Sequence, residues 1–367
     1  MEEAILNKVQ ELAPEMLESI VELVRIDSTK TEAQPGAPFG PGVAKALDRA
    51  LQMASEMGFD TVNLEHQIGY ASYGEGPEYI CAIGHVDVVP VGTGWNHPPF
   101  SGWREKGMIY SRGVLDNKGP ILACLYALYA LKELGFQPKK QIRIIFGCDE
   151  ETGFEDLKYY LSKEKPPVMG FTPDCKYPVV YAERGRALVE IQAGNEADFA
   201  ALLNDHVLNA RNNGERFGIA CSDPEFGMLE VRNFKVIPQG DVPVLQFAIS
   251  YPAGCTVEWL MEKLQESQKG RQVRLVSNYA PVRFEKDCFL VNTLKETYER
   301  VTGMDGTPVP TTGGTYAKLM PGIVPFGPSF PGQKGIGHQP NEWMKEEDII
   351  TNAKIYALSL YRLAGGE

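Results

Sequence analysis

Two of the five histidines in this 367-residue chain stand where a metal or catalytic site could form, at the ends of apolar segments and among polar or glycine residues. His85 closes the apolar run that begins at Tyr79, and His338 lies within the segment 335–342. Asp87 lies two positions after His85. On a strand the two side chains would therefore point to the same face, and the Asp87 carboxylate could fix the tautomer of the His85 imidazole. A single histidine in either place is more often structural. Whether these histidines bind metal therefore depends on which carboxylates accompany them.

Carboxylates follow other segments of the chain. Asp116 lies where a loop enters a predicted helix, a place where aspartate usually caps the helix or forms a turn. The acidic run 149–151 follows the apolar strand 141–147, and three adjacent carboxylates repel one another unless a cation or solvent relieves them. A solvated loop or the first turn of a helix would also relieve them. Asp174 ends another short segment.

Together these residues form a candidate ligand set of two imidazoles and three carboxylates: His85, Asp116, Glu151, Asp174 and His338. Such a set suits one or two zinc-like ions at a hydrolytic centre. Two ions roughly 3.5–4 Å apart need one shared carboxylate and a water between them, whose proton must be taken by a carboxylate that binds no metal. Glu150 would be that base. Because the ligand positions are spread from residue 85 to residue 338, composition alone does not establish that they converge.

The elements around these residues predict how they could meet. Residues 79–84 form an apolar strand that ends at His85, residues 118–135 have helical periodicity, and residues 141–147 form a second apolar strand that ends at the acidic run. Strand, helix and strand with polar groups at the strand ends are typical of an open α/β sheet, whose ligands bind outside the carboxyl ends of its strands. We expect the active site at that edge.

The first eighty residues predict scaffold elements. Apolar spacing between residues 5 and 24 predicts one or two amphipathic helices, interrupted near Pro14. Helical periodicity returns at residues 43–58, after a loop rich in glycine and proline. Residues 71–73 and 79–84 flank a Gly/Pro turn, so we expect these two strands to pair.

The pattern of elements changes near Arg186. The following hundred residues predict three strands and two helices of a small α+β unit, at 187–192, 196–212, 227–236, 242–251 and 257–268. Helical patterns at 288–302 and 346–364 then complete the first domain. The expected domains are a catalytic domain in two parts and an inserted lid that could serve dimerisation: 1–185, 287–367 and 186–286.

Composition argues against several classes of protein. With 36 Lys+Arg against 48 Asp+Glu the net charge is −12, which disfavours nucleic acid as a partner. No apolar run is long enough to span a membrane, and the first residues are acidic, so we expect no signal peptide, no membrane partner and a cytoplasmic location. The seven cysteines are odd in number and scattered, which favours reduced thiols over a disulfide framework.

Four segments resemble the core motifs of the co-catalytic zinc metallopeptidases (family M-20), which include carnosinase, aminoacylase, succinyl-diaminopimelate desuccinylase and the PepV-type Xaa-His dipeptidases: GHVDVVP at 84–90, GWNHPPFSG at 94–102, YSRGVLDNKG at 110–119 and DEETG at 149–153. Three further segments resemble the PepV-type dipeptidases in particular: GGTY at 313–316, FPG at 330–332 and GHQPNE at 337–342. The resemblance implies an α/β fold with a zinc-peptidase-like open mixed sheet, flanked by helices and carrying a smaller α+β lid.

The resemblance also implies a metal-binding role for each residue of the candidate ligand set. One metal would be held by His85, Asp116 and Asp174, and the other by Asp116, Glu151 and His338. The cofactors would be two divalent ions, zinc or, as alternatives, cobalt or manganese.

Further residues match other parts of the family's active site. Glu150 matches its general base, and Asp87 matches the residue that supports the first histidine ligand. Gly314 and Thr315 match a loop that faces bound substrate. The resemblance also implies a cis peptide bond between the bridging aspartate and Asn117.

Hydrolysis of the amide bond of dipeptides, of Xaa-His or β-alanyl type, is the function that the resemblance implies first. A deacylase or desuccinylase acting on N-acyl amino acids is the alternative within enzymes. The lid departs from the family pattern in two ways. It is shorter than the lid of PepV-type dipeptidases, and its single histidine, His206, lies in a predicted amphipathic helix and not in the family's Gly-x-x-x-His segment. A metal-binding protein with weak or no catalysis is therefore a third interpretation. Relatives with one lid commonly pair through it, which implies a homodimer.

Overall fold

The computed structural model describes residues 1–366 and divides the chain into two units. The first contains Met1–Val180, Glu285–Val309 and the chain from Thr315 onward, and the second contains Tyr181–Phe284 and Pro310–Gly314. The second unit is therefore an insertion in the sequence of the first. Helices and sheets occur in both, which confirms the predicted α/β class.

Eight α-helices lie within the described residues: α1 (Glu2–Val24), α2 (Pro41–Glu56), α3 (Lys118–Glu133), α4 (Glu155–Lys163), α5 (Glu196–His206), α6 (Val257–Ser267), α7 (Phe289–Thr302) and α8 (Glu346–Leu363). The strands are β1 (Asp60–Leu64), β2 (Ile68–Tyr73), β3 (Tyr79–His85), β4 (Trp103–Glu105), β5 (Met108–Tyr110), β6 (Gln141–Gly147), β7 (Met169–Thr172), β8 (Cys175–Lys176), β9 (Val180–Glu183), β10 (Gly185–Gln192), β11 (Ser222–Asp223), β12 (Gly227–Met228), β13 (Glu230–Ile237), β14 (Val244–Tyr251), β15 (Gln272–Tyr279), β16 (Val282–Arg283), β17 (Val309–Thr311), β18 (Ile323–Pro325), β19 (Pro328–Ser329) and β20 (Trp343–Lys345).

A six-stranded mixed sheet forms the centre of the first unit, in the order β1-β2-β6-β3-β7-β18. β3 runs parallel to β6 and β7, and β18 runs parallel to β7. β2 runs antiparallel to β6 and to β1. All residues of β3 are buried, as expected of a strand covered on both faces.

The predicted pairing of strands 71–73 and 79–84 is wrong, because β6 lies between β2 and β3. The short turn between β2 and β3 would allow a hairpin. However, β3 and β6 are both apolar, and placing them side by side at the centre of the sheet removes more apolar surface from water than hairpin pairing would. Burial therefore sets the strand order here, and the local turn does not.

Helix α1 continues through Pro14, so the predicted interruption is also wrong. Residues before and after the proline, such as Val9, Met16 and Ile20, are buried in one continuous stripe. A proline inside a helix costs about 3 kcal/mol, whereas each large apolar side chain that is buried contributes roughly 1.5–3 kcal/mol. Packing of the whole stripe therefore keeps the helix intact. Within residues 1–366, no helix combines the length and the apolar character that a membrane span requires.

The second unit is built on the antiparallel sheet β13-β14-β10-β15. Its core contains the rings of Phe217 and Phe247, whose centroids lie 4.7 Å apart, and side chains of α6 such as Leu260. The sequence did not predict β15, because most of its residues are exposed and the strand has no alternating apolar pattern. The helix predicted for residues 196–212 ends at His206.

A disulfide joins Cys221 and Cys255 in the second unit. The expectation of reduced thiols throughout is therefore wrong for this pair. The two cysteines are separated by 34 positions and are brought together by the fold, since one precedes β11 and the other follows β14. The other five cysteines form no disulfide within the described residues, and three of them are buried: Cys81, Cys124 and Cys148.

Candidate metal centre and catalytic residues

Three neighbouring parallel strands carry polar residues at their carboxyl ends. His85 is the last residue of β3, the acidic run 149–151 follows β6, and Asp174 lies just beyond β7. Because β3 pairs with both β6 and β7, these residues meet at one edge of the sheet. This is the edge at which the sequence predicted the active site.

The loop before α3 brings Asp116 to the same place. The peptide bond between Asp116 and Asn117 is cis, as the family resemblance implied. The Asn117 amide donates to the carbonyl of Pro173 (2.6 Å) and accepts from the backbone N–H of His85 (3.4 Å). A Cβ atom on Gly84 would lie 2.2 Å from the Asn117 side-chain oxygen, so this close approach requires glycine. Asn117 thus ties the loop to β3 and to the residues after β7.

The five candidate ligands form two groups that share Asp116. In one group, His85 Nε2 lies 3.1 Å from Asp116 Oδ1 and 3.7 Å from Asp174 Oδ2. In the other, His338 Nε2 lies 2.9 Å from Asp116 Oδ2 and 2.9 Å from Glu151 Oε1. Within each group the ligand atoms lie within 4.8 Å of one another. The structure thus brings all five side chains together around one shared carboxylate.

Asp87 links His85 to the acidic run. The ring Nδ1 of His85 lies 2.9 Å from the backbone carbonyl of Asp87 and 3.3 Å from its carboxylate. The two carboxylate oxygens accept from the backbone N–H groups of Glu150 (3.3 Å) and Glu151 (3.2 Å). The carbonyl is therefore the nearer partner of the imidazole, and the carboxylate chiefly positions the acidic run.

Crowding of the carboxylates shifts their pKa values. Burial, and then the negative charge of Asp174, raises the pKa of Glu150 well above its usual range. Burial and the charge of Asp116 likewise raise the pKa values of Glu151 and Asp174. Hydrogen bonds to Asp116 and Glu151 raise the pKa of His338 to about 10. The site thus carries more negative charge than its own side chains neutralise, and divalent cations fit this set of donors.

Glu150 stands apart from both ligand groups. Within residues 1–366 its carboxylate has no hydrogen-bond or ion-pair partner, although the charges of Asp174, His85 and Glu151 act on it. A carboxylate in this environment remains available to exchange a proton with a bound reactant.

Glu342 organises the loop that carries Asp116, and the sequence did not reveal this role. One carboxylate oxygen accepts from the backbone N–H groups of Gly113 (3.0 Å), Leu115 (2.9 Å) and Asp116 (3.1 Å). The other oxygen receives the guanidinium of Arg112 at 2.6 Å. Glu342 and Arg112 are both almost fully buried. The only sequence signal is that Glu342 belongs to the same motif as His338.

Asp156 and Asp149 fix the position of the chain that follows β6 through hydrogen bonds and an ion pair. Neither was predicted as a site residue. Asp156 is buried and accepts from the backbone N–H groups of Cys148 (2.7 Å) and Asp149 (3.0 Å), and from the hydroxyl of Tyr316. Burial raises the pKa of Asp156 to about 7. Asp149 in turn receives the ammonium of Lys30 at 2.5 Å. The acidic run is therefore supported from both sides.

The two predicted substrate-binding residues fall in different units. Thr315 is buried in the first unit, where its hydroxyl accepts from the N–H of Ala317. Gly314 is exposed and belongs to the second unit. The lid histidine, His206, is stacked on Phe217, and its Nδ1 lies 2.6 Å from the carbonyl of Arg216.

The sequence matches known proteins over most of its length. The profile of peptidase family M20/M25/M40 matches residues 81–362. The Beta-Ala-Xaa dipeptidase of Lactobacillus delbrueckii subsp. lactis is 27% identical, and the alignment covers 96% of this chain and 96% of that protein. That alignment extends over 459 residues against the 367 of this chain, so the relative carries many residues without a counterpart here.

Solved structures share the fold. Human carnosine dipeptidase 1 superposes with a TM-score of 0.74 at 16% identity, covering 99% of this chain and 100% of that chain. The M20 family metallo-carboxypeptidase Sso-CP2 from Sulfolobus solfataricus superposes with a TM-score of 0.73 at 17% identity, covering 95% of this chain and 99% of that chain. At these identities the likeness concerns the fold alone.

Proposed function

This chain belongs to peptidase family M20/M25/M40, and on that premise we propose that it is a metal-dependent dipeptidase that cleaves the amide bond of short peptides. One observation carries the proposal. Two groups of three ligands share Asp116, and the carboxylate of Glu150 lies beside them without belonging to either. Two candidate cation sites next to a carboxylate that belongs to neither suit amide hydrolysis assisted by two metal ions.

The five clustered side chains would bind two divalent ions. His85, Asp116 and Asp174 would hold one ion, and Asp116, Glu151 and His338 would hold the other. Imidazole and carboxylate donors in these proportions suit zinc, with cobalt and manganese as alternatives. Ions bound there would polarise the carbonyl of the scissile bond and increase the acidity of water.

Glu150 would carry the proton of the reaction. It would take a proton from the attacking water and return it to the leaving nitrogen, so that one carboxylate serves as base and then as acid. Burial and the charge of Asp174 raise the pKa of Glu150, and a carboxylate with a raised pKa is a stronger base, which supports this role. Asp87 would keep the backbone of Glu150 in place through the hydrogen bond that it accepts.

Dipeptides of the β-alanyl and Xaa-His types are the substrates that we propose first. The name of the Lactobacillus relative, Beta-Ala-Xaa dipeptidase, supports the β-alanyl type. Deacylation of N-acyl amino acids would break the same kind of bond. Product analysis separates the two activities, because only a dipeptide yields two amino acids.

Substitution of the proposed base tests the mechanism. Zinc-loaded Glu150→Gln protein should lose roughly 10²–10⁴-fold in kcat on a dipeptide that the unmodified protein cleaves, with its metal content unchanged. Glu155→Gln is a matched control, because Glu155 is an exposed glutamate of α4 that pairs with Lys158. Equal activity of Glu150→Gln and the unmodified protein would exclude Glu150 as the base. Metal binding without turnover on any dipeptide or N-acyl amino acid would favour a binding protein instead.

We also propose that the second unit acts as a lid and dimerisation domain. Its edge strand β15 leaves Leu275 and Val276 37% and 39% exposed, and an exposed edge strand can pair with a second chain. Light scattering at micromolar concentration would give the mass in solution, and a monomer would exclude the dimer. We propose the cytoplasmic location expected from the sequence, although the disulfide between Cys221 and Cys255 counts against a reducing compartment, and cell fractionation would test it.

A further inference from the structure

A cavity of about 340 Å³ opens beside the ligand group that contains His85. Its wall includes Asp116, Asp174 and two lysines: Lys176, which lies two residues after Asp174, and Lys334 of the glycine-rich segment before His338. We call this cavity the lysine pocket. A space of this size accommodates an amino-acid side chain or a short acyl group. The lysine pocket is therefore a place where part of a substrate can lie while its amide bond is at the metal centre.

The positive charges of Lys176 and Lys334 are not neutralised by an acid within the described residues. Within residues 1–366, neither ammonium group has a hydrogen-bond or ion-pair partner. Two other cations near the centre are paired with acids, Lys30 with Asp149 at 2.5 Å and Arg112 with Glu342 at 2.6 Å. An exposed lysine without a partner is ordinary on a protein surface. Two such lysines in the wall of one cavity beside a catalytic centre are not explained by solvation alone.

The charge balance of the wall depends on the metal ions. Asp116 and Asp174 supply the negative charge of the wall, and in the proposed function both are ligands of a divalent cation. Their charge is then neutralised, whereas the charge of the two lysines is not. The remaining polar side chains of the wall, Ser329 and Gln333, are neutral. The loaded pocket would thus present positive charge, for which a carboxylate is the complementary group.

We propose that the lysine pocket binds a carboxylate of the substrate through Lys176 and Lys334, an inference that rests on the proposed function. Two parts of a substrate can supply this group. One is the C-terminal α-carboxylate that every dipeptide carries, and the other is a second carboxylate on the acyl half, as in an aspartyl dipeptide or an N-succinyl amino acid. Both present the same chemistry to the two ammonium groups.

Charge-removing variants test the pocket. The double variant Lys176→Met, Lys334→Met removes both charges but keeps unbranched side chains that are only one atom shorter. It should lose at least about tenfold in kcat/KM on a substrate with the recognised carboxylate, with zinc content unchanged. Lys165→Met is the matched control, because Lys165 is exposed and lies outside the pocket. An equal loss in this control, or no loss in the double variant on any substrate, would overturn the inference.

Three substrates distinguish the source of the carboxylate: Ala-Ala, Ala-Ala amide and N-succinyl-alanine. If the α-carboxylate is bound, the amide should be the poor substrate, and the double variant should cleave Ala-Ala no faster than the amide. If the acyl carboxylate is bound, N-succinyl-alanine should be preferred over Ala-Ala, and the double variant should lose that preference. Failure of the proposed function has another signature, namely no hydrolysis of any of the three or activity that survives Glu150→Gln.

A binding measurement makes the inference independent of turnover. Succinate should bind to the zinc-loaded Glu150→Gln protein in a calorimetric titration, and adding the two lysine substitutions should weaken that binding at least about tenfold. Both proteins keep the metal ligands, so the difference reports the lysines alone. Equal affinity of the two proteins for succinate would overturn the inference even if no substrate were found.

Discussion

The two sides of the proposed centre share Asp116 but are held in opposite ways. On the strand side, His85 is fully buried, ends β3 and has its Nδ1 2.9 Å from the carbonyl of Asp87. On the loop side, His338 has a 51% exposed side chain and a backbone φ of 62°, in the left-handed region. The strand side is therefore fixed by the sheet, whereas the loop side depends on a glycine-rich segment.

This difference teaches how the centre would be loaded. Ligands that are already immobile lose little conformational entropy when an ion binds, so a fixed group binds more tightly than a mobile group of similar chemistry. We therefore expect the group of His85 to take the first ion and the group of His338 to take the second.

Substitution of Asp116, which both ligand groups share, should abolish the difference in metal affinity between the strand side and the loop side. It should also cause the largest loss of activity. Asp116→Asn weakens both groups at once, so the activity should fall at least about 10³-fold and neither ion should bind tightly. Metal analysis after dialysis, together with a dipeptide assay, measures both results. Asp241→Asn is a suitable control because Asp241 is exposed in the second unit. Two ions retained by the Asp116→Asn protein would contradict the shared ligand.

Separate substitutions of His338 and His85 should show which of the two ligand groups binds zinc more tightly. His338→Ala should leave one tight ion, whereas His85→Ala should remove the tight ion and weaken binding about 100-fold or more. A zinc titration of each metal-free protein by calorimetry would give the number and affinity of the sites. The comparison fails if His338→Ala loses the tight ion and His85→Ala keeps it.

Glu342 connects the loop side to the shared ligand, and its substitution should have an intermediate effect. Glu342→Gln keeps an acceptor for the N–H groups of Gly113, Leu115 and Asp116 but removes the charge that faces Arg112. Residues that support metal ligands typically change affinity or activity by about 10–100-fold. Competition with a zinc-binding dye measures the affinity, and Glu346→Gln on α8 serves as the control. Unchanged zinc affinity in both Glu342→Gln and Glu342→Ala would remove Glu342 from the positioning network.

Asp156 supports the strand side, and its substitution should affect stability more than activity. Burial raises its pKa from 3.8 to about 7. Between about pH 4 and pH 7 the folded protein therefore holds a proton that the unfolded chain releases, so the free energy of unfolding falls as the pH rises through this window. Asp156→Asn should flatten this dependence by roughly 1–4 kcal/mol and change kcat less than about threefold.

Urea unfolding of the metal-free protein between pH 4.5 and pH 8 would test this expectation. Asp305→Asn provides the control, because Asp305 is an exposed acid that binds the backbone and hydroxyl of Thr307. If both variants show the same pH dependence as the unmodified protein, Asp156 does not titrate in the expected window.

Much of the strand side could be predicted from the sequence. Apolar runs that end in polar residues located His85 and the acidic run at one edge of an α/β sheet, because strand burial and chain direction are local properties. The order of the strands could not be predicted in the same way. β6 lies between β2 and β3 because several buried strands compete for the centre, and no short segment records the outcome.

The supporting residues were also beyond sequence reasoning. Asn117 and Glu342 act through hydrogen bonds to backbone groups of distant segments, and a backbone group leaves no trace in the residue types. The disulfide between Cys221 and Cys255 likewise depends on where two loops end in space. Motif resemblance assigned the five candidate ligands to two groups because it carries information about the assembled site that periodicity lacks.

The insertion of the second unit has a consequence for the newly made protein. β18 pairs with β7, yet the ribosome synthesises β18 only after the whole inserted unit. At roughly 5–20 residues per second this leaves β7 as an open sheet edge for about 8–30 s. An open edge strand can pair with another chain, so the nascent chain is prone to aggregate during this interval. His338 is synthesised later still. Until then Asp116 and Glu151 lack the imidazole that lies beside them in the folded protein.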